Sequence, residues 1–238
     1  GTHHPELCNT LQAGATWMYN WHSELPSCPG VESVAMVYNE YALNGLQTGY
    51  YRMQANSVYI MGFNEPDSVH QADLTPEEAA PLWRELEEMY PGKKLVSPAV
   101  VFDLPWLERF REEYMDLYGA PPRLDALAVH CYRNDVASCQ GAVEEIAGYA
   151  QAWGIDEVWL TEWEFWGEGS VERLLEFVAW LEAHPLVTRY AWFPGTLTGD
   201  EAWLEAVPPT VRQRYIDCQL IMPDGTLTQY GRAYAWAH

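Results

Sequence analysis

Residues 58–69 read VYIMGFNEPDSV, and this stretch decides how the rest of the chain is read. Val58 to Phe63 is apolar at nearly every position and stops abruptly at Asn64-Glu65-Pro66-Asp67. Consecutive apolar residues bounded by turn residues mark a strand buried on both faces, the usual state of parallel strands. A residue that precedes proline is pushed away from helical φ/ψ. Glu65 is therefore expected to continue the strand direction, with its carboxylate at the strand tip. Pro66 then ends the strand without needing an amide partner.

Runs of the same kind recur along the chain: Thr16–Trp21 (TWMYNW), Val34–Tyr38 (VAMVY), Leu95–Val101 (LVSPAVV), Leu124–Tyr132 (LDALAVHCY), Val158–Thr161 (VWLT) and Arg189–Phe193 (RYAWF). Helical patterns separate the later ones. Thr75-Pro76-Glu77-Glu78 is a capping box with proline at the first helical position, and that helix is expected to end before Pro91-Gly92, with Pro81 kinking it or delaying its start. Leu107, Phe110, Tyr114 and Leu117 share one helical face that stops at Gly119. Val143, Ile146, Ala150 and Trp153 form another stripe, ending at Gly154. Ser170 is expected to cap a further helix, and a last one is expected to begin near Thr228.

Strand and helix in alternation predict a parallel α/β fold, and the length suits a compact (β/α)₈ TIM barrel occupying residues 1–238 as a single domain. The rival is an open doubly wound sheet, which usually carries a Gly-rich phosphate loop after its first strand; none follows TWMYNW. Residues 41–57 are too short for a regular helix-strand-helix, so the third βα unit of the barrel is expected to be degenerate.

The 238 residues carry a formal net charge of −21 with a pI of about 4.5. Such a surface repels phosphate backbones and anionic lipids and argues against a nucleic-acid or membrane partner. A neutral substrate fits better. With 12 Trp, 15 Tyr and 6 Phe, aromatics are abundant enough to serve both a core and a stacking cleft. The five cysteines form no CxxC, and no Cys/His spacing suits zinc, so neither a metal nor another cofactor is expected. Cys8–Cys28 and Cys131–Cys139 are the disulfide candidates by proximity, although connectivity stays open. Their presence favours a secreted or periplasmic protein. Residues 1–7 (GTHHPEL) suggest a trimmed terminus or an expression remnant, no signal peptide is visible, and a monomer is expected.

A second acid at a strand tip is Glu162, in VWLTEWEFW. Allowing one weak early strand, Glu65 and Glu162 fall on strands four and seven of eight, both at the C-terminal mouth where barrel enzymes place their chemistry. A lone glutamate at a strand end is more often solvated or salt-bridged. Two that converge among aromatic side chains suit glycoside hydrolysis, in which one carboxyl is held protonated and the other attacks the anomeric carbon.

The ordered set WMYNW (Trp17–Trp21), GFNEPD (Gly62–Asp67), SPA (Ser97–Ala99), HCY (His130–Tyr132) and TEW (Thr161–Trp163) resembles glycoside hydrolase family 128, as does the late PDGTLTQYGRAY. That resemblance implies a retaining β-1,3-glucanase of clan A, with Glu65 as acid/base and Glu162 as nucleophile, their carboxyls about 5 Å apart. It implies an endo-acting enzyme on laminarin or curdlan. The alternatives are an exo-acting or other clan A β-glycanase, or a non-catalytic glucan-binding protein. The family's usual His-Trp-Tyr is His130-Cys131-Tyr132 here, with one indole lost. Asn64 is expected to bond a sugar hydroxyl, Tyr132 to donate to Glu162, and His130 to hold a carboxylate or a sugar. Trp17, Tyr19, Trp21, Trp163, Trp166 and Trp192 are candidates for sugar stacking, although strand alternation should send about half of them elsewhere. Asp67, Glu164 and Glu168 read first as loop or capping residues.

Overall fold

The computed structural model describes Cys8, residues 14–197 and residues 201–237; the GTHHPEL terminus lies outside them. The strands are β1 (Trp17–Met18), β2 (Glu32–Ser33), β3 (Ala35–Met36), β4 (Tyr59–Met61), β5 (Lys94–Val100), β6 (Ala126–Cys131), β7 (Val158–Trp163) and β8 (Val187–Trp192). β3 to β8 form one parallel sheet in sequence order, while β1 pairs in parallel with β2. The two sheets meet at Val34, whose N–H donates to Met18 O at 2.9 Å. The run 32–36 thus carries β1 on one edge and β4 on the other.

The helices are α1 (Glu40–Gln47), α2 (Pro76–Met89), α3 (Pro105–Tyr118), α4 (Val136–Trp153), α5 (Ser170–Ala183), α6 (Ala202–Ala206), α7 (Pro209–Cys218) and α8 (Gln229–Trp236). No helix among the described residues is long and apolar enough to cross a membrane. The capping box of α2 forms as expected, with Thr75 N donating to Glu78 Oε2 at 2.9 Å and Glu78 N to Thr75 Oγ1 at 3.3 Å. It starts the helix at Pro76, so Pro81 does not delay it. Ser170 is the first helical residue of α5, not its cap; its hydroxyl pairs with Tyr230 OH at 2.6 Å. Thr228 caps α8, and Cys8–Cys28 and Cys131–Cys139 are bonded, leaving Cys218 free and buried.

The curled sheet separates two cores. Leu127, Val129, Leu160 and Trp163 face the helices, whereas Ala126, Ala128 and Trp159 face the concave side with Val34, Met36, Met61 and Val96. Trp17, Tyr19 and Trp21 pack against the concave cluster at every second position, as strand alternation requires. At Gly62 a Cβ would lie 2.5 Å from the Trp83 ring, so the approach of α2 to β4 tolerates no side chain there.

No additional strand lies between β3 and β4. Ala35 pairs with Ile60 and Met36 with Met61, and α1 spans part of the intervening segment. The irregular part of the curl is instead the seam between β8 and β1, where no ladder forms among the described residues. Arg189 of β8 bridges it with an ion pair to Glu32 of β2 at 2.8 Å. Its guanidinium also lies 4.5 Å from the Trp159 ring, 4.8 Å from Tyr59 and 5.6 Å from Trp17. A cation enclosed by three rings contributes more than one on an open surface. Arg189→Met is expected to cost about 2 kcal/mol and to lower Tm by about 4–8 °C in thermal unfolding. An unchanged Tm would show that the seam needs no clasp.

Candidate active site

Glu65 follows β4 and Glu162 lies on β7, and both side chains are almost fully buried at the strand tips. The tip of β4 is anchored by Asn64 N donating to Tyr38 O at 2.9 Å and Glu65 N to Ala99 O at 2.8 Å. Asp67 holds it to the neighbouring tip, its Oδ2 accepting from the N–H groups of Val101 (3.1 Å), Phe102 (2.6 Å) and Asp103 (2.8 Å). Asp67 is a loop-anchoring residue, as its position suggested. Glu65 itself is not extended: its φ is +44°, in the left-handed region. The preference imposed by Pro66 is overridden because the chain turns at once, with Ser68 N donating back to Glu65 O at 3.0 Å. Backbone strain of this kind concentrates at functional sites, and Trp21 shares it at φ +60°.

His130, paired with Glu162 in the β6–β7 ladder, joins the two acids. Its Nδ1 is 2.7 Å from Glu65 Oε1 and 3.7 Å from Glu162 Oε2. One atom of each of the three side chains lies within 4.8 Å of the others. That places an oxygen of Glu65 and an oxygen of Glu162 within 4.8 Å, and the three groups are also close enough to enclose a cation.

The two acids have different surroundings. Glu162 Oε1 accepts from Tyr19 OH at 2.7 Å and Trp21 Nε1 at 2.8 Å, and its Oε2 accepts from Tyr132 OH. Burial first, then the Glu162 charge, raises both phenols well above their ordinary pKa, so they remain donors. Among the described residues, the one side-chain hydrogen-bond partner of Glu65 is His130. Burial raises its pKa, the His130 hydrogen bond and charge oppose the rise, and the Glu162 and Asp67 charges add to it. Burial disfavours charge on His130 as well, but Glu162 and Glu65 outweigh it and the net direction is upward. Both directions favour a proton at the Glu65–His130 pair, while Glu162 is surrounded by donors, an asymmetry that suits acid and nucleophile.

A family model described as "Glycosyl hydrolase catalytic core" matches residues 1–234. The chain belongs to that family. No curated protein matches it in sequence. Among solved structures, it is similar over its full length to a family 128, subgroup II endo-β-1,3-glucanase from Sorangium cellulosum, with 26% identity, a TM-score of 0.77 and 96% of that chain covered. A subgroup III, curdlan-specific exo-β-1,3-glucanase from Blastomyces gilchristii in complex with glucose is similar at 26% identity and TM-score 0.73, covering 99% of this chain and 96% of that one. A subgroup I endo-β-1,3-glucanase from Amycolatopsis mediterranei, a mutant in complex with laminaripentaose, shares the fold at 24% identity and TM-score 0.75, covering 100% of this chain and 97% of that one.

Within this glycosyl hydrolase core, the candidate residues divide into three groups. Glu65, Glu162, His130, Tyr132, Tyr19 and Trp21 meet at one point, with Tyr19 and Trp21 serving as hydrogen-bond donors to a carboxylate. Asn64 sits beside them with its Oδ1, an acceptor, buried and without a hydrogen-bond partner among the described residues, as is His130 Nε2. Trp17 is half-buried on the concave side, stacked on Tyr19 at 5.9 Å and tilted against Trp159 at 5.3 Å.

Trp163 and Trp192 fail as stacking surfaces. Trp163 is adjacent to Glu162, so the pleat turns it to the opposite face, where it is wholly buried against Phe177 and Trp192. Trp192 donates from Nε1 to Cys218 O at 2.8 Å and stacks on Tyr230 at 5.4 Å. One face of Trp166 is covered by the Arg214 guanidinium at 4.3 Å.

Glu164 carries more than its sequence position indicated. It is completely buried, paired with Arg214 Nη2 at 2.8 Å, and burial pushes its carboxyl up to about 7, the Arg214 charge opposing the rise and Glu162 adding to it. Phe193, which contacts both Trp21 (5.7 Å) and Tyr132 (5.8 Å), also belongs to the site. A strand-tip aromatic after TEW's neighbouring strand was its only sequence signal.

The Glu65–His130 pair has a measurable pH signature. His130→Ala removes the group that favours the Glu65 carboxylate. A raised acid stays protonated below its folded pKa and is lost as pH rises through it, so the alkaline limb of kcat/KM is expected to move to higher pH. An unmoved limb would disconnect His130 from the acid.

Proposed function

We propose that this chain is a retaining endo-β-1,3-glucanase acting on a neutral β-1,3-glucan such as laminarin or curdlan. The observation that carries the reading is the approach of one Glu65 oxygen and one Glu162 oxygen to within 4.8 Å. Retaining enzymes hold their carboxyls about 5–5.5 Å apart, whereas inverting enzymes leave about 6.5–9.5 Å for a water. The similarity to the Sorangium cellulosum endo-β-1,3-glucanase supports the substrate class.

In the first step Glu162 attacks the anomeric carbon and the bond to the leaving oxygen breaks, while Glu65 gives that oxygen its proton. A glycosyl ester on Glu162 and a shortened glucan result. In the second step Glu65, now a carboxylate, takes a proton from water, whose oxygen displaces Glu162 and restores the β configuration. Tyr19, Trp21 and Tyr132 hold Glu162 in line for both steps, and Asn64 Oδ1 accepts from a sugar hydroxyl beside the cleaved bond. The chemistry needs only these protein groups and water.

A complete (β/α)₈ barrel in one domain is part of the reading, with the Arg189–Glu32 clasp supporting closure at the β8–β1 seam. Export fits the two disulfides, and a monomer fits a surface of net charge −21. Exo action is the second reading, favoured by the equal identity to the curdlan-specific exo-enzyme from Blastomyces gilchristii. Product analysis on linear β-1,3-glucan separates them. A ladder of mixed oligosaccharides at early times is expected; release of a single short product would assign exo action, and no release at all would overturn the glucanase reading.

A further inference from the structure

Beyond the catalytic tip, Phe193, Trp203 and Tyr215 form a ring cluster outside both packed cores. Their rings meet at 5.1 Å (Phe193–Tyr215), 6.1 Å (Trp203–Tyr215) and 6.3 Å (Phe193–Trp203). Phe193 connects the group to the nucleophile, because it touches Trp21 and Tyr132, both of which donate to Glu162. Trp203 is 38% exposed, in contrast to the indoles of the helix-facing core, and Tyr215 is half-buried.

What holds this group in place is costly. Arg214, next to Tyr215 on α7, reaches the wholly buried Glu164, two residues beyond the nucleophile on β7. The guanidinium lies between the Trp166 ring at 4.3 Å and the Tyr215 ring at 4.9 Å. A hydrophobic pair of similar volume would pack there with no desolvation penalty, so the ion pair is weak evidence for stability. It does tie α7 to the tip of β7.

We propose that Trp203 and Tyr215, held against Phe193 by the Arg214–Glu164 ion pair, form a sugar-stacking subsite continuous with the catalytic carboxylates. The occupant is a glucosyl unit of the same β-1,3-glucan, so the proposal rests on the function proposed above. A neutral sugar offers apolar C–H faces to aromatic rings, and the acidic surface does not repel it. Arg214 is a positioning residue: it sets the rings without touching the reacting atoms.

The test is calorimetric titration of a linear β-1,3-glucan hexasaccharide into Glu162→Gln protein, which is expected to bind without turnover. Adding Trp203→Ala is expected to weaken binding about tenfold, with Trp203→Phe recovering most of the loss. In the native background Trp203→Ala should raise KM by a similar factor and change kcat much less. Arg214→Met is expected to weaken hexasaccharide binding at temperatures where its thermal unfolding curve shows it folded. Unchanged affinity on Trp203→Ala overturns the subsite, and unchanged affinity on Arg214→Met overturns the strut. A native protein that neither binds nor cleaves β-1,3-glucan overturns the functional reading and the subsite with it.

Discussion

Glu162→Gln is expected to lower turnover of β-1,3-glucan by at least about 10⁴-fold while leaving the fold intact. Glutamine fills the same volume, and its amide oxygen still accepts from Tyr19 and Trp21, the donors that reach Oε1 of the native residue. Only the Tyr132 contact must reverse, since an amide N–H₂ replaces the Oε2 acceptor. What disappears is the attacking oxygen, and no neighbour replaces it. His130 presents a nitrogen already engaged with Glu65, and Glu164 is directed to Arg214. The loss should therefore fall on kcat, with KM little changed. Steady-state kinetics on laminarin with the thermal unfolding curve as a fold check measures it, and turnover within tenfold of native would refute Glu162 as nucleophile.

Glu65→Gln is expected to slow glucan cleavage by about 10²–10⁴-fold, with a dependence on leaving group that Glu162→Gln lacks. A natural glucan departs as an alkoxide and needs the proton. An activated aryl glycoside does not, so its first step should proceed nearly unimpaired. The second step then stalls, because no carboxylate remains to deprotonate water. Rapid-mixing kinetics should show a burst of aryl alcohol close to one equivalent per enzyme, followed by slow turnover. The positive φ at position 65 is no obstacle, since glutamine meets the same backbone conformation as glutamate. Equal slowing on glucan and aryl substrate, with no burst, would remove Glu65 from the acid/base role.

Much of this site was legible because strand ends and short polar motifs are local features. GFNEPD and TEW each mark an acid at a strand tip, and their order along the chain brings them to β4 and β7. The disulfides were legible as neighbouring pairs, and the α2 capping box as four consecutive residues. What depended on non-local packing was not. The conformation of Glu65 follows from a bond to Ala99 O and a turn onto Ser68, and these override what Pro66 favours. Trp163 looked available because it adjoins the nucleophile, yet adjacency in a strand means opposite faces. Tyr19 and Trp21 carry the aromatic signal of sugar platforms, whereas their polar atoms are spent on Glu162. A third unit in residues 41–57 follows from a barrel's need for eight strands, yet direct β3–β4 pairing leaves no room for a strand there. Glu164 resembled a loop acid because its partner, Arg214, lies fifty residues further on.

The division of labour between the two acids is tested most directly by trapping the covalent intermediate. A β-1,3-linked glucosyl fluoride bearing fluorine in place of the 2-hydroxyl slows both steps but leaves with ease, so the sugar should accumulate on the attacking residue. Mass spectrometric mapping of the labelled protein is predicted to find one sugar ester, on Glu162 in the peptide that contains TEW. A label on Glu65, or no adduct from protein that turns over β-1,3-glucan, would contradict the mechanism.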